Sequence, residues 1–269
     1  MLFKDTAIEK KYVEDGFVIL PVLDEKVLTQ IKSLYHYYYS HQVEGLQPLL
    51  RTGSSKNNIE MHYQIAGIVT PVLEKWFKPF AFNANHFIVK GANDPNEFRL
   101  HQDWNVVDET RFIAAHIWIA LQDIDQTNGG LFVATGSHKF FENYRSGSCG
   151  IAFIERTEKV RSSVTNMKVK AGEAVVYQQA LFHGSYPNTT NQPRLVCLSS
   201  IRPVQAPMVY FHQQGEQLQC YEITPEVLFE QVGDLEKGVS PRDQKQFSNL
   251  TKTMLKTKMI DNEIFEERI

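Results

Sequence analysis

Two short segments carry the residues best suited to chemistry: Arg99-Leu-His-Gln-Asp-Trp104 and, far along the chain, His183-Gly-Ser185, with Arg194 eleven residues beyond His183. Strand side chains alternate between faces, so His101 and Asp103 project to one side and Gln102 to the other. A His-x-Asp pair spaced in this way can grip one metal ion. Two imidazoles and one carboxylate on a single octahedral face is the usual donor set for Fe(II) in oxygen-activating enzymes, with three positions left for co-substrate and oxygen. His183 is the candidate for the second imidazole. His-x-Asp by itself recurs by chance as a solvent-facing strand end, so the weight comes from the second segment. There His183 and Ser185 share a face of one predicted strand, and a short hairpin through Pro187–Pro193 brings Arg194 alongside on the next. A guanidinium remains charged when enclosed and binds a carboxylate through two parallel hydrogen bonds, which suits the far end of such a site.

Over most of its length the chain resembles the phytanoyl-CoA dioxygenase family of Fe(II)- and 2-oxoglutarate-dependent oxygenases. The resemblance is carried by Gly16-Phe-Val-Ile-Leu20, His101-Gln-Asp103, Trp118, Asn128-Gly-Gly-Leu131, Gly136-Ser-His-Lys139, His183-Gly-Ser185 and Arg194. It implies a mainly β fold with flanking helices: a double-stranded β-helix, the cupin-like jelly-roll barrel. It further implies that His101, Asp103 and His183 bind iron, that Arg194 and Ser185 hold the distal carboxylate of 2-oxoglutarate, that Trp118 walls the pocket, and that Gln102 belongs with the cofactor-binding set. The implied co-substrates are 2-oxoglutarate and O2, and the implied products are succinate, CO2 and a hydroxylated C–H bond. Asp103 favours hydroxylation over halogenation, because halogenating relatives carry a small residue there. Desaturase, epimerase or cyclase chemistry, or a non-catalytic metal-binding jelly roll, are the alternatives.

The elements that must position these residues are legible in outline. Gly16–Pro21 is expected to form a short strand, followed by a helix capped by Asp24 with Val27, Leu28, Ile31, Leu34, Tyr35 and Tyr38 at helical spacing. A second helix is expected from about Asn58 to Phe77, broken near Pro71. From about Ala81 to Arg202, runs rich in Val, Ile, Phe and Tyr punctuated by Gly, Asn and Pro predict the β-rich core. From Thr224 a helical tail follows, interrupted by Pro241. Residues 1–269 are taken as one domain.

Face parity in the strand from Phe112 to Gln122 turns His116 to the same side as Trp118. It also turns Arg99 inward with His101, and Val196, Leu198 and Ser200 to the Arg194 side. His86 and His116 lack an acidic partner two positions away and read as core histidines, and His138 as a loop stabiliser. The tyrosines at 35, 37, 38 and 39 read as core packing with one exposed edge. Polar residues at Arg51, Lys56, His62, Tyr63, Tyr144, Arg145 and Arg161 suggest a mouth suited to a small polar or anionic substrate such as an amino acid, a peptide or a natural-product intermediate.

The bulk composition excludes other classes. With 269 residues, 42% hydrophobic and 22% charged, the chain has ample core-forming material, and a net charge of -3 with scattered Lys and Arg disfavours nucleic acid. Cys149, Cys197 and Cys220 are widely spaced and form no Cys-x-x-Cys pair, which predicts reduced thiols in a cytoplasmic protein. No export signal or membrane span is expected at the N-terminus or in the apolar run from Phe112 to Leu121. Asn128-Gly-Gly lacks the lysine and helix of a phosphate loop, and no Gly-x-Ser-x-Gly elbow is present.

Overall fold

The computed structural model describes residues 1–39, 44–48, 52–139, 144–151, 153–154 and 158–242, and the backbone of 246–250. Short polar caps start the N-terminal helices. The Asp5 carboxylate accepts from the backbone N–H groups of Ala7 and Ile8 to begin α1 (Thr6–Asp15), and Asp24 and Ser54 do the same for α2 (Glu25–Tyr38) and α3 (Ser55–Leu73). Each such cap is worth about 1 kcal/mol. α1 ends at Gly16 with φ +86°, a left-handed conformation that suits glycine. Strand β1 (Phe17–Pro21) follows at once and ends in a proline, which is tolerated because β1 lies at a sheet edge.

The remaining strands are β2 (Leu46–Pro48), β3 (Phe80–Lys90), β4 (Phe98–His101), β5 (Ala115–Ala120), β6 (Leu131–Val133), β7 (Phe153–Ile154), β8 (Thr165–Asn166), β9 (Glu173–Gln178), β10 (His183–Ser185) and β11 (Arg194–Pro203). They form two antiparallel sheets, one of six strands in the order β1-β9-β5-β11-β3-β2 and one of five in the order β7-β4-β10-β6-β8. This is a jelly roll. One face of the larger sheet, through Ile117, Ile119, Val176, Cys197 and Ile201, packs with Ile31, Tyr35, Met61, Ile65 and Val69 of α2 and α3. Its other face, through Trp118, Ala120, Val175, Tyr177, Val196 and Leu198, meets Leu131 and Val133 of the smaller sheet to form the inter-sheet core.

The structure corrects several expectations. Arg194 is not joined to His183 by a hairpin: β10 belongs to the smaller sheet and β11 to the larger, so the segment between them crosses from one layer to the other. The β structure continues past Arg202 as β12 (Val209–Gln214) and β13 (Gln217–Glu222). β12 pairs with β13, and β13 pairs with β14 (Gln246–Leu250), which lies beyond α5 (Pro225–Glu236) in the expected helical tail. Helix α3 starts at Ser55 and carries Pro71 in its last turn without breaking there. Among the described residues no helix is long and apolar enough to cross a membrane, and the three cysteines are free and buried.

The smaller sheet leaves no room at the centre of His183-Gly-Ser185. A Cβ on Gly184 would lie 2.5 Å from the Phe98 carbonyl oxygen and 2.6 Å from the Phe132 ring. Gly184→Ala is therefore expected to lower unfolding stability by roughly 1–3 kcal/mol, the usual cost of overpacking. Urea denaturation checks this as a lower midpoint with an unchanged slope, and an unchanged midpoint contradicts it.

Candidate functional site

β10 lies between β4 and β6, and its register sets His183 directly across from His101. Their rings lie 4.4 Å apart between centroids. Asp103 follows in the loop after β4, with its Oδ1 3.6 Å from His101 Nε2 and its Oδ2 3.4 Å from His183 Nε2. Ligand atoms of His101, Asp103 and His183 all fall within 4.8 Å of one another. The expected triad is thus assembled from residues 82 positions apart in sequence.

Both imidazoles face the centre with the correct nitrogen. His101 Nδ1 is 2.9 Å from the Arg99 carbonyl oxygen, and His183 Nδ1 is 2.9 Å from the Leu181 carbonyl oxygen. A carbonyl only accepts, so each Nδ1 carries the proton and each Nε2 presents a lone pair toward Asp103, the arrangement metal-binding histidines use. Burial lowers the His183 pKa to about 4, which keeps the ring neutral. Burial raises the Asp103 carboxyl, but the surrounding imidazoles of His183, His116 and His101 outweigh it and hold the group below the usual carboxylate range. Its side chain is 28% exposed, so the cluster opens toward solvent at this carboxylate.

The Asp103 backbone is fixed on both sides. Its N–H donates to the Gln179 carbonyl at 3.0 Å. Its own carbonyl accepts from Arg145 Nε at 2.6 Å, while Arg145 Nη2 reaches Glu109 at 2.7 Å. Gln102 is buried and its amide donates to the Ala180 carbonyl at 2.7 Å, tying the His101–Asp103 loop to the strand that brings His183. Arg145 therefore supports the loop from within rather than lining a mouth. His62 turns inward, where its Nδ1 accepts from the Asn85 backbone N–H, while Tyr63 is exposed and its hydroxyl bonds Glu226 at the surface. Arg51 and the Arg161 side chain lie outside the described residues. Arg99 is exposed, contrary to face parity.

A second feature lies at the start of β11. Arg194 is buried, with its guanidinium over the Trp118 ring at 5.2 Å and Nη1 donating to the Gly129 carbonyl at 3.1 Å. Its Nε and Nη2 have no partner among the described residues. Directly across the β3–β11 pair lies Lys90, which is also fully buried and donates to Ser185 Oγ at 3.2 Å and to the Tyr186 carbonyl. Burial and the neighbouring Arg194 lower the Lys90 pKa to about 8, so it remains mostly cationic at neutral pH. Burial likewise brings Arg194 down to about 10. Neither cation is paired with a carboxylate among the described residues. Leaving a buried donor unmet costs about 1–3 kcal/mol. The donors are met if a carboxylate binds against the fork. Ser185, Trp118 and Arg194 thus come together as expected, and Lys90 joins them.

Lys90 was missed because a lysine at a strand end ordinarily reads as a solvated edge residue, and only the β3–β11 register reveals its partner. Tyr177 was missed as well. It is buried, its ring lies 4.5 Å from that of His183, and burial together with the nearby Asp103 charge pushes its phenol pKa up. His116 does face the cluster, with Nε2 3.4 Å from Asp103 Oδ2, as parity with Trp118 indicated. His138 supports a loop, with Nε2 3.0 Å from the Val13 carbonyl.

Comparison with known proteins agrees with this architecture. Residues 66–196 match the family described as phytanoyl-CoA dioxygenase (PhyH). Over that segment the chain is similar to this family. Two curated relatives are a phytanoyl-CoA dioxygenase of Arabidopsis thaliana, 25% identical over 174 residues (64% of this chain), and a phytanoyl-CoA dioxygenase domain-containing protein 1 homolog of Dictyostelium discoideum, 25% identical over 194 residues (69% of this chain). The aligned segment spans 58% and 62% of the lengths of these two relatives. Among solved structures, EvdO2 of Micromonospora carbonacea var. aurantiaca, complexed with 2-oxoglutarate, superposes with TM-score 0.53 at 17% identity, covering 74% of this chain and 91% of that one. The epimerase SnoN, complexed with Fe3+, α-ketoglutarate and nogalamycin RO, superposes with TM-score 0.52 at 18% identity, covering 75% and 86%. At these identities the likeness establishes the shared jelly roll.

The buried histidines set a pH dependence for the stability of this chain. His183 and His62 each have a folded-state pKa near 4, lowered chiefly by burial, against an unfolded value of about 6.5. Between these values the unfolded chain binds more protons than the folded one, so stability rises with pH. Stability contributed by these rings is present above pH 6.5 and is lost as pH falls toward 4. Urea titrations of metal-free protein at pH 7, 5.5 and 4.5 are expected to show this loss. His62→Asn, which retains an acceptor for the Asn85 N–H, should make it shallower, and equal stability at all three pH values contradicts the assignment.

Proposed function

We propose that this chain is an Fe(II)- and 2-oxoglutarate-dependent dioxygenase of one catalytic domain that hydroxylates a C–H bond of a small polar metabolite and releases succinate and CO2. The observation that carries this reading is the joint placement of a two-histidine, one-carboxylate cluster and a buried, unpaired guanidinium inside one barrel. The donor set suits Fe(II), and the fork of Arg194 suits the far carboxylate of 2-oxoglutarate. When bound, the iron and 2-oxoglutarate supply the oxidising power, with O2 as the other co-substrate.

The residues of the chain perform the positioning. His101 and His183 offer Nε2 because their Nδ1 protons are held by backbone carbonyls. Asp103 supplies the carboxylate of the donor set on a side chain that is 28% exposed, and the carboxylate here favours hydroxylation over halogenation. Arg194, with Lys90 and Ser185 beside it, fixes the far end of the co-substrate. Trp118, Val196 and Leu198 surround that end with apolar surface and exclude water, which strengthens each charge–charge contact. Beside the Asp103 carboxylate lie His116 and Ser200 of the larger sheet and Gln179 just after β9, so the surroundings of the cluster there are polar rather than aliphatic, which supports a polar substrate.

Anaerobic addition of Fe(II) and 2-oxoglutarate should produce the weak visible charge-transfer band of the chelate, absent in His183→Ala. Arg194→Ala should weaken 2-oxoglutarate binding by roughly 10–100-fold, the equivalent of losing a charge-assisted bond of about 1.5–3 kcal/mol. In air, slow succinate formation without substrate should be suppressed in Asp103→Ala. Undiminished succinate in that variant would overturn the ligand role.

A further inference from the structure

Three imidazoles, not two, surround the Asp103 carboxylate. His116 on β5 has its Nε2 3.4 Å from Asp103 Oδ2, yet it lies outside the group of ligand atoms that His101, Asp103 and His183 form. It is therefore placed to act on the carboxylate rather than on the ion. A carboxylate repels a ring-nitrogen lone pair and attracts an N–H; at His101 and His183 a backbone carbonyl holds the proton on Nδ1, whereas His116 Nδ1 meets no acceptor among the described residues, so the carboxylate favours the tautomer protonated at Nε2. This is the reverse of His101 and His183, whose protons lie on Nδ1.

An independent line of hydrogen bonds, beginning at a group that can only donate, leads to the same tautomer. Arg202 Nη1 donates to Asn83 Oδ1 at 2.8 Å, which fixes that amide and turns its nitrogen to Ser200 Oγ at 3.0 Å. Ser200 thus accepts from Asn83, and its own proton must go elsewhere. The structure places Gln179 Nε2 3.4 Å from Ser200 Oγ and 3.2 Å from His116 Nε2. The two ends of an amide have the same shape, and only its partners decide which is oxygen. With oxygen at that end, Gln179 accepts from both Ser200 and His116, and the His116 proton is shared with Asp103. With nitrogen there, the Ser200 proton has no acceptor, His116 carries a buried and unmet Nδ1–H, and its lone pair faces the carboxylate. The first arrangement leaves the Gln179 N–H pair and the His116 Nδ1 lone pair unmet but removes the repulsion.

Building on the iron reading above, we propose that His116, protonated at Nε2 and oriented by Gln179 and Ser200, is a positioning residue that holds one oxygen of Asp103 by hydrogen bond, so that the carboxylate meets the metal through its other oxygen. His116 binds neither metal nor co-substrate; it acts through Asp103.

The test uses the full chain with Zn(II) or Co(II) as the probe metal. In 15N-labelled protein loaded with Zn(II), long-range 1H–15N spectra should show His116 protonated at Nε2 and His101 and His183 at Nδ1. Co(II) titration should give about 10–100-fold weaker binding for His116→Ala, the usual effect of removing a partner of a metal ligand. His116→Gln, whose amide N–H can replace Nε2–H, should recover most of that loss and the wild-type Co(II) absorption spectrum. His116 protonated at Nδ1, unaltered Co(II) binding in His116→Ala, or equal losses in the Ala and Gln variants would each overturn the proposal while leaving the iron reading intact. Failure of the unaltered protein to bind Co(II) at all would overturn both.

Discussion

Everything in the site depends on the pairing of β10 with β4, which sets His183 opposite His101 across two neighbouring strands. Antiparallel partners lie about 4.5–5.5 Å apart at Cα, so once the register is fixed the two rings must converge on the same small volume. A one-residue slip would turn His183 to the other face and dissolve the cluster. Gly184 guards that register, because its missing side chain lets the Phe98 carbonyl and the Phe132 ring close against the strand. Gln102 and the Asp103 N–H then bind the loop after β4 to the approach segment of β10, so the carboxylate arrives with the imidazoles.

The larger sheet contributes the opposite kind of group. Through the β3–β11 pairing it brings Lys90 and Arg194 side by side, both buried and neither matched by a carboxylate among the described residues. Two adjacent cations within a barrel reduce stability, and a fold tolerates such an arrangement where a ligand recovers the cost on binding. One register therefore gathers two histidines and a carboxylate and another gathers two buried cations, and the jelly roll packs the two sheets against each other around them.

Much of this was legible in the sequence. Strand alternation placed His116 with Trp118, because period two holds along regular strands, whereas His101 and Asp103 meet although β4 ends at His101 and the loop after it carries the carboxylate. The cap at Asp24 and the helix after it followed from short-range hydrogen bonding. The family resemblance joined the two segments and implied the barrel. What remained hidden was set by pairing between distant strands. Lys90 and Tyr177 acquire meaning only from neighbours on β11 and β10, and Arg145 only from the loop it braces. The expected hairpin between His183 and Arg194 failed because a short connection in a jelly roll can cross between layers as easily as it can turn within one. Arg99 departed from parity next to a register shift in the β10–β4 pair, where alternation is least dependable.

The most direct measurement is a crystal structure of the protein prepared without oxygen, with Mn(II) standing in for iron and 2-oxoglutarate added. The metal is expected to be bonded by the Nε2 atoms of His101 and His183 and by one oxygen of Asp103, with the far carboxylate of 2-oxoglutarate against Arg194. A metal held elsewhere, or an Arg194 fork that remains empty with 2-oxoglutarate bound at another place, would contradict the assignment.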